Sequence, residues 1–344
     1  MVSPAAVRWV RRSPRWAWLR ARARRGDAMG ARMRQGDAVG AARGERGGAE
    51  KPGHGVDRAG RMPGVSEPPG ATVPPPSVLD AFGVRGTPVP LAGGQGRSVR
   101  VGGYVFKPAD GAEEEAEWAA GVLEGLGAGR GFRVPVPLRA ADGRGVVDGW
   151  TAGGFVAGEP GPRGRWREVI GAGRAFHAAL RGVPRPGFLA RRSHPWAVAD
   201  RVAWGEQEVE VVAGLAEPFA ALRALRRPVE QPAQLVHGDL TGNVLFAAGR
   251  APAVIDFSPY WRPAILAEAV VVVDGLLWFG LPPGLLTGGG DRRDWRQVLI
   301  RALIFRLVAH SELTGPSGYV PAVERRRFAR AAEAVVRGSA GPGR

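Results

Sequence analysis

The stretch Leu235 to Ser258, LVHGDLTGNVLFAAGRAPAVIDFS, constrains this chain more than any other. After an apolar pair it sets His237-Gly238-Asp239, then Asn243 and the apolar run Val244-Leu245-Phe246. A turn at Gly249-Arg250 leads to a second run, Ala253-Val254-Ile255, which ends on Asp256-Phe257. Two short β-type runs joined by a glycine-containing turn predict a hairpin. With Gly249-Arg250 as a two-residue loop, Asn243 and Asp256 fall opposite each other, where facing residues lie roughly 4.5–5.5 Å apart.

An amide oxygen and a carboxylate at that spacing fit one hard cation such as Mg²⁺, whose shell is completed by bound phosphates. Asp239, in the turn before the hairpin, places a further carboxylate at the same end. One Asp to orient or deprotonate a hydroxyl, with an Asn and a second Asp on metal, is what phosphoryl transfer requires. Each residue alone reads as an ordinary turn Asp or Asn; the ordered set is what carries the inference.

HGDLTGNVLF followed by VIDF resembles the catalytic core of the aminoglycoside phosphotransferase family, kin of choline kinases and more distantly of protein kinases. The resemblance spans roughly residues 80 to 310. It implies an α+β, bilobal, protein-kinase-like fold with a small β-rich N-lobe and a larger, mostly helical C-lobe. The implied activity is ATP- and Mg²⁺-dependent transfer of a phosphoryl group to a small-molecule hydroxyl. Asp239 would be the catalytic base, and Asn243 and Asp256 the metal ligands. Asn243 follows Asp239 by four residues, one fewer than the family usually has. That shorter loop is the best support for the alternative, a pseudokinase that binds nucleotide or acts as a scaffold with little turnover.

Upstream, Val89-Pro90-Leu91, Ser98 to Val101 and Tyr104-Val105-Phe106 predict short strands, with Gly93-Gly94-Gln95-Gly96 between the first two. Glycines let backbone N–H groups approach phosphates closely, so Gly93, Gly94, Gly96 and Ser98 are candidate nucleotide contacts. Only two of the 48 basic residues are lysines, Lys51 and Lys107. Lys107 ends the third strand, where a compact ammonium fits between phosphates and a carboxylate. Residues 112–126 have helical spacing, with Trp118, Ala119, Val122, Leu123 and Leu126 on one face and Glu115 in its middle. A carboxylate on a buried face wants a cation, which pairs Glu115 with Lys107 and leaves Glu114, at the edge of the face, as first reserve. Two further strands are expected over 134–138 and 150–156. Helices follow over 165–180, 197–212, 216–225, 264–279, 294–313 and 320–336.

The expected division is a leader over 1–76, an N-lobe over 77–156 and a C-lobe over 157–344. The leader is rich in Arg, Gly and Pro without sustained periodicity, a composition of disordered chain, and Met62 is one candidate start. It holds 15 basic and 6 acidic side chains, a net +9 on 76 residues, which leaves +7 of the chain's +16 spread over the other 268. The Arg-for-Lys bias then reflects coding composition and gives no case for specific nucleic-acid binding. There is no cysteine, which excludes disulfides and thiolate chemistry. No apolar run approaches the roughly 18–20 residues of a membrane span, and the expected location is the cytoplasm. From residue 157 on, 25 arginines face 17 acidic residues, which leans towards a neutral or anionic acceptor over a polycation.

Overall fold

The computed structural model describes residues 73–91, 97–110, 112–126, 131–162, 164–281, 294–314 and 318–337. Gly93, Gly94 and Gly96, and nearly all of the expected leader, lie outside the described residues.

The chain enters through helix α1 (Pro76–Ala81), with proline where a missing N–H costs nothing. Strands β1 (Val89–Pro90), β2 (Val99–Val101) and β3 (Tyr104–Pro108) follow, then helix α2 (Glu113–Gly125). Next come β4 (Pro137–Leu138), β5 (Val146–Val147) and β6 (Trp150–Gly154). The strands form one antiparallel sheet in the order β1-β2-β3-β6-β4, with β5 also on β6. β2 alternates buried, exposed, buried, and its inner valines meet Val78 of α1 and Phe82 just after it in a small core of their own. Phe106 of β3 packs edge-on against Phe82 at 5.8 Å between ring centres.

Strand β7 (Glu159–Pro160) opens the second lobe, which is mostly helical: α3 (Trp166–Ala179), α4 (Phe188–Arg191), α5 (Pro195–Trp204) and α6 (Ala216–Ala224). Strands β8 (Gln234–His237), β9 (Val244–Phe246), β10 (Ala253–Val254) and β11 (Pro259–Arg262) interrupt the helices, and α7 (Ile265–Asp274), α8 (Trp295–Thr314) and α9 (Ala322–Arg337) complete them. β9 pairs with both β10 and β7, and β11 pairs with β8. The result is an α+β bilobal fold. Every residue of α7 is buried, as its run of valines predicts. Among the described residues no helix is long and apolar enough to cross a membrane.

Two expectations need correction. The helix foreseen over 197–212 stops at Trp204 because Gly205 takes a left-handed φ of +77°. Beyond it, Glu206, Glu208 and Glu210 run along an irregular segment. The catalytic hairpin is also shifted by one residue. Leu245 faces Ala253 and Val244 faces Val254, so Asn243 faces Ile255, whose N–H donates to the Asn243 carbonyl at 2.9 Å. The turn is centred on Gly249, with Arg250 N–H donating to the Ala247 carbonyl. An odd-numbered loop moves the register by one place relative to a two-residue loop.

Candidate active site

A one-residue slip turns a strand's side chains to the opposite face, so Asp256 needs another route to the site. It leaves the ladder after Val254 and adopts a left-handed φ of +53°. That conformation costs an L-residue about 1–2 kcal/mol and is tolerated best by Asn and Asp. It swings the carboxylate towards the other lobe, where Asp256 Oδ1 pairs with Lys107 Nζ. β3 fixes that lysine by pairing it with Thr151 of β6.

The expected Lys107–Glu115 pair is therefore not formed. Glu115 instead takes a bidentate pair from Arg192, with Nε donating at 3.0 Å, and Arg191 holds Glu114 at 2.5–2.7 Å. The helical phase was right: Glu115 lies on the face of α2 that meets the second lobe, beside Trp118, which packs on Phe188 and Phe257. The partner differs because a guanidinium fork matches both carboxylate oxygens, and Arg192 is only 10% exposed where it meets them.

Asp239 and Asn243 are brought together as expected. Asn243 Nδ2 donates to the Asp239 carbonyl at 2.7 Å and approaches its Oδ2 at 3.4 Å. The shortened loop closes as a turn in which Asn243 N–H donates to the Leu240 carbonyl and Gly242 adopts a φ of +83°. Donation through the amide nitrogen commits that end of Asn243 to the turn. Ser98, just before β2, accepts the Leu91 N–H on its carbonyl at 3.0 Å.

His237 ties both acidic turns together. Its fully buried Nδ1 accepts from the N–H groups of Asp239 and Ser258 at 3.2 and 3.3 Å. That fixes the proton on Nε2, which reaches the Ile255 carbonyl at 3.1 Å. One ring thus touches the chain beside Asp239 and on both sides of Asp256, and so braces the two acidic turns against each other. Gly238 is required for packing, since a Cβ there would sit 2.6 Å from Cε2 of Tyr260.

His177 of α3 accepts the His237 N–H at 3.0 Å. Burial, with a smaller contribution from His237, holds its pKa down at about 3. The folded chain then binds fewer protons here than the unfolded chain. Its stabilising contribution is complete above about pH 6.5 and is lost as pH falls towards 3, at about 1.4 kcal/mol per pH unit. Between pH 7 and pH 5 this site is expected to cost about 2 kcal/mol of stability. Urea midpoints at the two pH values check it, and His177→Gln should remove that share of the drop; an unchanged drop would count against this assignment.

Two residues at the site escaped the sequence reading. Arg306 of α8 is 2% exposed and donates to Asp239 Oδ1 at 3.0 Å. The same guanidinium holds Asp274 Oδ1 and Oδ2 at 2.6 and 2.7 Å. The available signal was a charge set in each of two apolar runs, VVVVD and ALIFRLVA, because buried charges require partners. Among the described residues no group of three or more His, Asp or Glu is placed to hold a metal. Any metal at this site would rest on few protein ligands and on substrate phosphates, which is how Mg²⁺ usually binds.

A β-rich lobe presenting a lysine to an aspartate of a helical lobe, beside an Asp–Asn turn, defines a kinase-like architecture. A model of the phosphotransferase enzyme family (APH) matches residues 89–260, half of the chain, and the chain belongs to that family. A sequence comparison with curated proteins gives no match. Among solved structures it is similar to an aminoglycoside phosphotransferase from Alicyclobacillus acidocaldarius (13% identity, TM-score 0.51, 80% of this chain and 96% of that one). It is also similar to the choline kinase LicA from Streptococcus pneumoniae (9% identity, TM-score 0.51, 76% and 97%). These likenesses establish the kinase-like fold.

Proposed function

We propose that this phosphotransferase is a cytoplasmic small-molecule kinase that moves the γ-phosphoryl group of ATP to a hydroxyl. The observation that carries the reading is the meeting of Lys107 and Asp256 across the lobes beside the linked pair Asp239 and Asn243. Lys107 would bind the phosphates, with Gly93, Gly94, Gly96 and Ser98 closing over them. Glu115, paired with Arg192, would fix α2 against the second lobe and so act on the nucleotide site only indirectly. Asn243 and Asp256 supply oxygen ligands of the type Mg²⁺ prefers, and the ion would neutralise charge on the phosphates. Asp239 would orient the acceptor hydroxyl and receive its proton as the new O–P bond forms. The bond from the γ-phosphorus to the β–γ bridging oxygen breaks, and ADP leaves.

A neutral or anionic acceptor fits the second lobe better than a polycation. Arg262 donates to Asp200 and to Glu206 at 2.6–3.2 Å, and Arg223 pairs with Glu208 at 2.8 Å. Asp200, Glu206 and Glu208 are thus matched by arginines within the chain. The shorter Asp–Asn loop gives no strong support to a pseudokinase, since its turn still delivers Asn243 to Asp239.

Calorimetric titration of ATP into the full chain, with and without Mg²⁺, tests the reading. Binding is expected to need Mg²⁺ and to vanish in Asp256→Ala. Lys107→Ala should weaken it by about 10–100-fold, the worth of one charge-assisted hydrogen bond. Binding that ignores Mg²⁺ in wild type and in Asp256→Ala would favour the pseudokinase, and no binding of ATP at all would end the proposal.

A further inference from the structure

Arg306 already has a complete partner in Asp274. Its Nε and Nη2 grip both carboxylate oxygens, and arginine and aspartate are each 2% exposed. A purely structural ion pair needs nothing more. Yet Nη2 also donates to Oδ1 of Asp239, which is 18% exposed at the mouth of the site. The guanidinium is walled by two rings, Trp196 of α5 with its centre 5.6 Å away and Phe305 at 5.2 Å. It is thus fixed by α5, by α7 through Asp274, and by its own helix α8.

We infer that Arg306 is a positioning residue for phosphoryl transfer: it locks one oxygen of the Asp239 carboxylate and so aims the other at the acceptor hydroxyl. The inference rests on the function proposed above. Oδ2, the oxygen on the Asn243 side, is then the one that meets the acceptor. In a loose phosphoryl-transfer transition state, placement of the attacking oxygen matters more than strong basicity. The cation beside Asp239 prevents rotation of its carboxylate, which suits a reaction governed by placement. Asp274 keeps the cation from being an uncompensated buried charge, so the motif needs all three residues.

The test uses the full chain and water as the acceptor, reading phosphate released from Mg·ATP. Arg306→Gln combined with Asp274→Asn removes the cation and its counter-charge together. The double variant is expected to lower kcat about 10–100-fold, the usual penalty of misplacing a reacting group, with KM for ATP within about twofold. Arg306→Lys should recover part of the loss, because an ammonium can hold one carboxylate but not fork to two. Added to Asp239→Asn, the double change should cost nothing more, since residues acting as a unit are not additive. An unchanged kcat, or full additivity with Asp239→Asn, overturns the inference. Should the double variant fail to fold, Arg306→Lys alone decides: it must lower kcat without raising KM, and its effect must vanish in the Asp239→Asn background. Slowed turnover in Asp239→Asn beside normal turnover in the Arg306 variants would remove the positioning role and leave the proposed function standing. Absence of both Mg·ATP binding and turnover in wild type removes both.

Discussion

Exchanging Asp239 for Asn is expected to slow phosphoryl transfer by about 10²–10⁴-fold, the usual contribution of a positioned general base. ATP affinity should change by less than about threefold, because phosphate and metal are assigned to other residues. The substitution is nearly isosteric and keeps an acceptor oxygen for the Arg306 N–H that now binds Oδ1. It also keeps the main-chain carbonyl that orients Asn243. What disappears is the negative charge and the capacity to take a proton. Released phosphate with water, and then with a panel of neutral and anionic hydroxyl compounds, supplies the measurement. Calorimetry on the same variant separates turnover from binding. Turnover within a few-fold of wild type would show that Asp239 is not the base, whatever the acceptor is.

This expectation could be formed from sequence because Asp239, Asn243 and Asp256 lie within eighteen residues of one another. Local spacing carries local geometry, and the helices of the second lobe were legible for the same reason. The hairpin register was lost by one place because a turn's residue count depends on backbone angles at Ala248 and Gly249 that no composition rule states. The site survives the slip only through the left-handed backbone of Asp256, a local strain invisible in sequence. Glu115 illustrates the other limit. Its face on α2 followed from periodicity, but its partner Arg192 stands 77 residues away. A buried carboxylate announces that it needs a cation without saying which, and Lys107 was the nearest candidate in the chain. Arg306 also stands far from Asp239 in sequence, 67 residues on, with Asp274 between them. Each appeared only as a charge within an apolar helix, and the fold alone shows that the two charges answer each other and the catalytic turn.

Removing Asp274 by Asp274→Ala is expected to cost about 3–5 kcal/mol of folding stability, the usual penalty for breaking a buried ion pair. Burial disfavours the Arg306 cation, but Asp274 and Asp239 outweigh it and hold the guanidinium charged. An arginine cannot shed its proton to escape, so loss of Asp274 leaves a charge inside a core built from α7 and α8. Its one remaining anionic partner, Asp239, belongs to the catalytic turn and cannot follow it inward, tied as it is to His237. Replacing both residues with apolar side chains of similar volume, Arg306→Met with Asp274→Leu, should recover most of the loss, because desolvation of two charges then disappears from the balance. Urea unfolding of the two variants beside wild type measures this. A single variant within about 1 kcal/mol of wild type, or a double variant no better than the single, would contradict the buried-pair account. The same apolar pair should remain slow in turnover, since it restores the core without restoring the hydrogen bond to Asp239. Stability regained without activity regained would separate the part of this triad that holds α7 to α8 from the part that aims the carboxylate.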